Sequence, residues 1–286
     1  MTGTRVLTAL VLIPIVLAVV LLTPTAVVTL AVAFITILAL REYFALGDAI
    51  GHRAYRLWTI FSALLLLFFQ LRLALRDTGI PGDAILQFDI VDGNRGVAMF
   101  LLVFLLGLTV LTVFTRRPLV ESLPSAGISS SALLLVAFPF SFAVRLHGLR
   151  NYGPRLLLFA LAVTWAADTT AYFVGRAIGR HPLAPHISPK KTWEGALGGI
   201  VGSLLIAWVA HFFVPLGIPH LLAMAALGNI AGQMGDLLES AYKRSAGVKD
   251  SGTLLPGHGG VLDRIDAQIL CIPVIWYYLV LVNPLR

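Results

Sequence analysis

The chain has 286 residues, 58% of them hydrophobic and only 12% charged, with a mean hydropathy of +0.89. Soluble globular domains carry about 25% charged residues, so this composition excludes a soluble protein with one ordinary core and points to an integral membrane protein. The net charge of +7 fits cytoplasmic loops and anionic headgroups rather than nucleic acid, and the single Cys271 permits no internal disulfide.

A membrane helix needs about 20 mainly apolar residues. In chain order the candidate spans are residues 6–22, 26–46, 57–71, 97–114, 131–146, 156–174, 196–214, 221–237 and 267–282. These runs lack the strict alternation of barrel strands. The expected fold class is therefore all-α, a polytopic integral membrane helical bundle of about nine transmembrane helices. The first run follows Arg5, is too long for a signal-peptide core and has no small-residue cleavage site, so it reads as a span. No internal repeat suggests the inverted halves of a transporter.

Well over half of the 21 Lys and Arg residues fall in the loops after spans two, four, six and eight. The loop after span three instead carries Asp77, Asp83, Asp89 and Asp92. The positive-inside rule then places the even-numbered loops and the N-terminus in the cytoplasm. Residues 1–150 contain little that looks chemical and are expected to form a transmembrane scaffold. Arg41-Glu42 reads as an interfacial anchor at a helix end, and Arg116-Arg117-Pro118 as a helix stop with cytoplasmic charge. Residues 151–286 differ in texture, with polar groups inside and beside the spans, and form the expected catalytic half.

Asp168 stands inside span six, where an acid is costly and faces a cavity or a partner; Arg176 and Thr170 are local candidates for that partner. Tyr172, one turn on, can share its face. Between spans six and seven, Ser188-Pro189 favours a turn and a helix start, which would put Lys190, Lys191 and Thr192 near a helix N-terminus that attracts anions. In span eight Gly228, Gly232 and Gly235 permit close helix packing. Asp236 and Glu239 share a helical face, and Glu239 with Lys243 reads as an ordinary surface pair. Beyond it come Lys243, Arg244, Lys249 and Asp250, then a Pro-Gly-His258-Gly259-Gly260 loop and the acids Asp263 and Asp266 flanking Arg264. The two glycines can turn successive N–H groups inward as an anion nest. Asp236, Asp263 and Asp266 are oxygen ligands of the kind Mg²⁺ prefers, and no Cys/His cluster suggests zinc.

The stretch Ser240-Ala-Tyr-Lys243-Arg244, then Lys249-Asp250, Gly252 and Leu255-Pro256-Gly257-His258-Gly259-Gly260-Val261-Leu262-Asp263-Arg264-Ile265-Asp266, resembles the signature of the phosphatidate cytidylyltransferase (CDP-diacylglycerol synthase) family. The Asp168 segment and Ser188-Pro189-Lys190-Lys191-Thr192-Trp193-Glu194-Gly195 are similar to that family too; the first half resembles it only in hydropathy. The resemblance implies transfer of CMP from CTP to phosphatidic acid, giving CDP-diacylglycerol and pyrophosphate for phospholipid biosynthesis. It also implies a divalent metal and a homodimer, and Asp236 and Asp263 match the family's metal-binding acids.

Attack by an already anionic lipid phosphate on the α-phosphorus of CTP needs positioning and charge neutralisation more than a strong base. The expected roles follow from that. Asp236 and Asp263 hold Mg²⁺, with room for a second cation, and Asp168 and Asp266 support them. Lys243, Arg244 and His258 act at the reacting phosphates, while Lys190, Lys191, Lys249, Gly259, Gly260 and Arg264 bind phosphate. The expected setting is a bacterial cytoplasmic (inner) membrane, crossed several times, with membrane lipids around the chain and the site facing the cytoplasm. Two other classes stay open. A CTP-dependent polyprenol kinase needs a clearer base for its hydroxyl nucleophile, and a transporter needs sealed vesicles for its activity.

Overall fold

A computed structural model describes residues 2–77, 93–254 and 259–282. Its helices are α1 (Thr2–Leu22), α2 (Thr25–Ala49), α3 (Arg56–Asp77), α4 (Gly93–Val113), α5 (Ser122–Ala132), α6 (Phe138–His147), α7 (Gly153–Ile178), α8 (Trp193–Ala210), α9 (Ile218–Ser245) and α10 (Leu262–Val282). Among the described residues, eight helical spans are long and apolar enough to cross a membrane, and the shorter apolar stretch Leu10–Leu22 lies in α1. The chain is an all-α, multi-pass membrane bundle. Helices suit these runs because lipid offers the backbone no hydrogen-bond partner. Prolines stand in the tolerated first turns of α6, α7 and α9, while Pro14 and Pro273 lie inside α1 and α10. Asp83, Asp89 and Asp92 lie outside the described residues.

Two segments differ from the sequence reading. The fifth span runs from Leu119 to His147 rather than starting at residue 131. Its first turns look loop-like because they are rich in serine, yet Ser125 and Ser129 are buried. Arg117 donates to the Ser125 hydroxyl at 3.1 Å, and the Tyr55 N–H donates to that of Ser129 at 2.8 Å. Arg117 is thus more than a helix stop: it also caps the carbonyl of Arg53 and lies over the Tyr55 ring. A π-helical stretch, Leu133–Ala137, joins α5 to α6 just before Pro139. Proline has no N–H for the carbonyl four residues back, and a widened turn is a usual way to absorb that loss.

The second difference lies between α7 and α8. The turn and helix start expected at 188–189 is instead a strand, β2 (Ser188–Thr192), paired antiparallel with β1 (Pro182–Ala184). The helix begins only at Trp193, with Thr192 as its N-cap; the Thr192 hydroxyl accepts the Gly195 N–H at 3.1 Å. Pro189 is compatible with this, because it biases Ser188 away from helical angles, and the pairing with β1 extends the strand to Thr192.

Against lipid, burying another leucine gains little, so close van der Waals packing holds such bundles together. Small residues provide it here. Gly198 and Gly202 of α8 lie against Val174 and Thr170 of α7. On α9, Gly228 faces Cys271, Gly232 faces the Ala267 carbonyl and Gly235 the Asp266 carbonyl, all on α10. A Cβ at Gly232 would come within 3.2 Å of that carbonyl oxygen. The glycine stripe read from span eight is the α9–α10 seam. Leu40, Leu66, Leu133, Leu156, Met224 and Ile272 fill the bundle interior, while Leu30, Phe34, Phe173 and Leu197 remain exposed on the outside of the helices.

Candidate active site

The close α7–α8 and α9–α10 seams bring four polar helix ends and the hairpin to one face of the bundle. There a cleft of about 650 Å³ is lined by Asp168, Tyr172 and Arg176 of α7, Lys190 and Lys191 of the hairpin, and Gln233 and Asp236 of α9. Its walls carry both signs of charge. Lys191 forms an ion pair with Asp236, whose other oxygen receives the Ser240 hydroxyl at 3.4 Å. Asp168 opens onto the cleft and has no hydrogen bond or close ion pair among the described residues. Its expected local partners are engaged elsewhere: Arg176 donates to the Tyr172 hydroxyl at 3.2 Å, and Thr170 to the Ala166 carbonyl at 2.7 Å. A larger hollow of about 1100 Å³ lies beside Asp48, Arg53, Trp58 and Arg117, but none of the signature residues lines it.

The hairpin that carries the two lysines is fixed at both ends. Glu194 accepts the backbone N–H groups of Arg180 and His181 at 3.1 and 3.3 Å, and the His181 ring at 2.6 Å. Arg244, at the end of α9, donates to the Ile187 carbonyl at 3.2 Å and to that of Val248 at 2.9 Å. Lys190 and Lys191 therefore reach the cleft from an extended strand, not from a helix N-terminus. Of the two, Lys191 is the one paired with Asp236, while Lys190 lines the cleft without a close ion pair among the described residues.

A second polar cluster adjoins the cleft one helical turn further along α9. Lys243 lies 2.5 Å from Glu239 and 2.6 Å from Asp263, all three nearly buried. The Glu239–Lys243 pair expected at the surface is thus interior, because Asp263 at the start of α10 closes over it. The second oxygen of Asp263 accepts the N–H groups of Ser251 at 3.0 Å and Gly260 at 2.7 Å. Gly259 has a φ of +79°, the left-handed angle expected of the loop. The N–H groups that follow it point to carboxylates of the chain itself: Gly260 to Asp263, and Val261 and Leu262 to Glu42 of α2.

Asp266 lies within electrostatic reach of Asp236, Glu239 and Asp168, and Asp168 within reach of Lys191 and Arg264. The structure therefore gathers Asp168, Asp236, Asp263, Asp266, Lys191, Lys243 and Arg264 into one neighbourhood of alternating charge. Lys249 and Arg264 are exposed, with no side-chain hydrogen bond among the described residues. His258, with Pro256 and Gly257, lies outside the described residues. Glu42, which reads in the sequence as part of an interfacial anchor at a helix end, instead accepts donors at Ser251, Val261 and Leu262 beside this site. A lone acid at the end of an apolar run looks the same whether it anchors at the interface or reaches across the bundle.

Among the described residues, no group of three or more His, Cys, Asp or Glu forms a metal cage by itself. Mg²⁺ does not need one, since it commonly takes one or two carboxylates and completes its shell with phosphate oxygens and water. The acids present fit that pattern. An ionised carboxylate offers about four lone-pair sites. Asp236 has one oxygen on Lys191 and the other near only the Ser240 hydroxyl, and Asp263 accepts three donors. Both retain acceptor capacity, with Asp236 and Asp168 facing the open cleft.

Comparison with known proteins adds to this geometry. The model of a family described as the cytidylyltransferase family matches residues 3–282. A Bacillus subtilis (strain 168) protein described as phosphatidate cytidylyltransferase is 38% identical over 187 residues, covering 65% of this chain and 68% of that protein. Proteins of the same description from Staphylococcus haemolyticus (strain JCSC1435) and Staphylococcus aureus (strain COL) are 45% and 40% identical over 148 residues. Those two matches cover 51% of this chain and 55% of each relative, so the chain spans little more than half the length of its staphylococcal relatives.

Proposed function

The chain belongs to the cytidylyltransferase family, and from that footing we propose that it transfers CMP from CTP to phosphatidate, yielding CDP-diacylglycerol and pyrophosphate. An oxygen of the lipid phosphate attacks the α-phosphorus of CTP. The bond from that phosphorus to the bridging oxygen breaks, and pyrophosphate leaves with the electron pair. The nucleophile is already ionised, so the chain's task is to bring two polyanions together and to steady the leaving group. The observation that carries this reading is the cleft in which Asp168 and Asp236 face Lys190 and Lys191, with Lys243, Asp263 and Arg264 adjoining.

Asp236 and Asp263 are the proposed holders of Mg²⁺, with Asp168 and Asp266 in support and space for a second cation. Bound there, the ion supplies positive charge to the phosphate oxygens. Lys190, Lys191 and Arg264 bind phosphates from the sides of the cleft. Lys243 keeps Asp263 oriented, and Arg244 holds the hairpin by its Ile187 carbonyl. Lys249, His258 and Gly259 complete the phosphate-binding set, with Gly260 shaping the loop through its bond to Asp263. Lipid enters laterally past Tyr172, which is exposed and lines the cleft. CTP comes from the cytoplasmic face of a bacterial inner membrane, and the protein works as a homodimer.

The deciding assay uses purified protein in detergent with phosphatidate, Mg²⁺ and CTP labelled at the α-phosphate. Label in the lipid product is the expected result. In a parallel reaction with CTP labelled at the γ-phosphate, label in the lipid there and none from the α-labelled CTP would identify a lipid kinase instead, and activity confined to sealed vesicles would identify a transporter.

A further inference from the structure

A carboxylate within a membrane-spanning helix is tolerated when donors surround it. Glu42 of α2 has such donors, and all of them come from the far end of the chain. One oxygen accepts the Val261 N–H at 2.9 Å; the other accepts the Leu262 N–H at 2.7 Å and the Ser251 hydroxyl at 3.1 Å. Val261 is the residue just before α10 and Leu262 its first, and the first N–H groups of a helix have no partner inside it. A helix usually meets that need with an N-cap side chain of its own. Here Gly260 and Val261 precede the helix and offer no side-chain oxygen, so the cap arrives from another helix.

The glycines around Glu42 give a second, independent sign. A Cβ at Gly252 would lie 2.6 Å from its Oε1, and one at Gly260 would collide with its Oε2 and with Ser251 Oγ. Two glycines of the signature loop are thus explained by the space Glu42 occupies. Asp263 accepts the neighbouring N–H groups of Ser251 and Gly260. Glu42 and Asp263 together close the base of the 251–262 loop, one carboxylate from each half of the chain.

We propose that Glu42 is a positioning residue for the transfer reaction: its carboxylate fixes the loop base and the start of α10, and so sets where Asp263 and Arg264 stand relative to the acids of α7 and α9. This rests on the proposed cytidylyl transfer. Glu42 touches neither phosphate nor metal; it acts through the backbone of the residues that do.

The test uses the full-length protein in detergent. Glu42→Gln leaves one acceptor oxygen and turns an NH₂ group toward backbone N–H donors, whereas Glu42→Asp keeps the charge. Turnover at saturating substrates should fall between about 10- and 100-fold in Glu42→Gln, the scale of an ångström-level misplacement, and recover in part in Glu42→Asp. Amide hydrogen exchange across residues 251–264 should quicken in Glu42→Gln while the other spans keep their protection. Gly252→Ala supplies a second route: it should lower turnover about tenfold alone and by much less in a Glu42→Ala background, because contacting positions couple. Unchanged turnover and loop exchange in Glu42→Gln would overturn the proposal, as would independent effects in the double variant or loss of protection throughout the bundle. If the unsubstituted protein makes no labelled CDP-diacylglycerol, the functional reading fails by itself, and the exchange data still judge whether Glu42 fixes the loop.

Discussion

The cleft beneath the hairpin and the loop base beside α10 contain the same kinds of side chain but use them in opposite ways. In the cleft, Asp168 and Lys190 point into open space, and the Lys191–Asp236 pair leaves an oxygen of Asp236 with only one distant hydroxyl. At the loop base, Asp263 and Glu42 are surrounded by donors from the chain, and Lys243 is enclosed between two acids. Charge that faces space is there for a ligand. Charge that the chain satisfies fixes backbone, and Asp263 is proposed to do both, holding the loop base while its remaining acceptor capacity serves the metal. A carboxylate taken alone does not reveal which of these it does; its partners do.

Substitutions can separate the two regions. The largest effects are expected at the two acids proposed to hold metal. Asp236→Asn and Asp263→Asn should each lower turnover by about 10³-fold at saturating Mg²⁺, since each removes charge stabilisation from a phosphoryl site. They should differ in hydrogen exchange, which quickens across residues 251–264 only for Asp263→Asn. Near-normal turnover of either variant would remove that residue from the proposed metal site.

Lys243→Met comes next. It strands Glu239 and Asp263 without their shared cation, and breaking a buried pair in this way costs about 3–5 kcal/mol. The expected readout is a lowered thermal unfolding midpoint in detergent; an unchanged midpoint would show that this region does not depend on the enclosed lysine. Lys191→Met should leave the midpoint nearly as it was and raise the KM for CTP about tenfold or more, because its ammonium faces the open cleft. A fall in stability without a KM change would reverse the contrast between the two regions. The smallest effect is expected at Thr192→Ala, which removes the N-cap of α8 at about 1 kcal/mol. Its measurement is a small drop in midpoint, with the lysine-bearing hairpin less protected from exchange.

Much of the membrane architecture is legible in hydropathy, because lipid permits few alternatives to a helix over a long apolar run. The glycines of α9 are legible as a packing face because spacing fixes which residues share a side of a helix. The polar segments are less so. Ser125 and Ser129 make the start of the fifth span look like loop, since hydropathy does not distinguish a serine that bonds to a neighbouring helix from one in water. Lys190 and Lys191 stand out in the sequence as cations, but their strand depends on pairing with residues 182–184, a contact that local propensity around Ser188-Pro189 does not specify.

By itself, then, the sequence determined the class of the protein, the approximate spans and the family signature, because each follows from residue type and spacing along the chain. Tertiary structure decided which charges face the cleft and which the chain satisfies internally. Glu42 shows the physical reason. Its role depends on donors at Ser251, Val261 and Leu262, which become its neighbours only when α2 and α10 pack together.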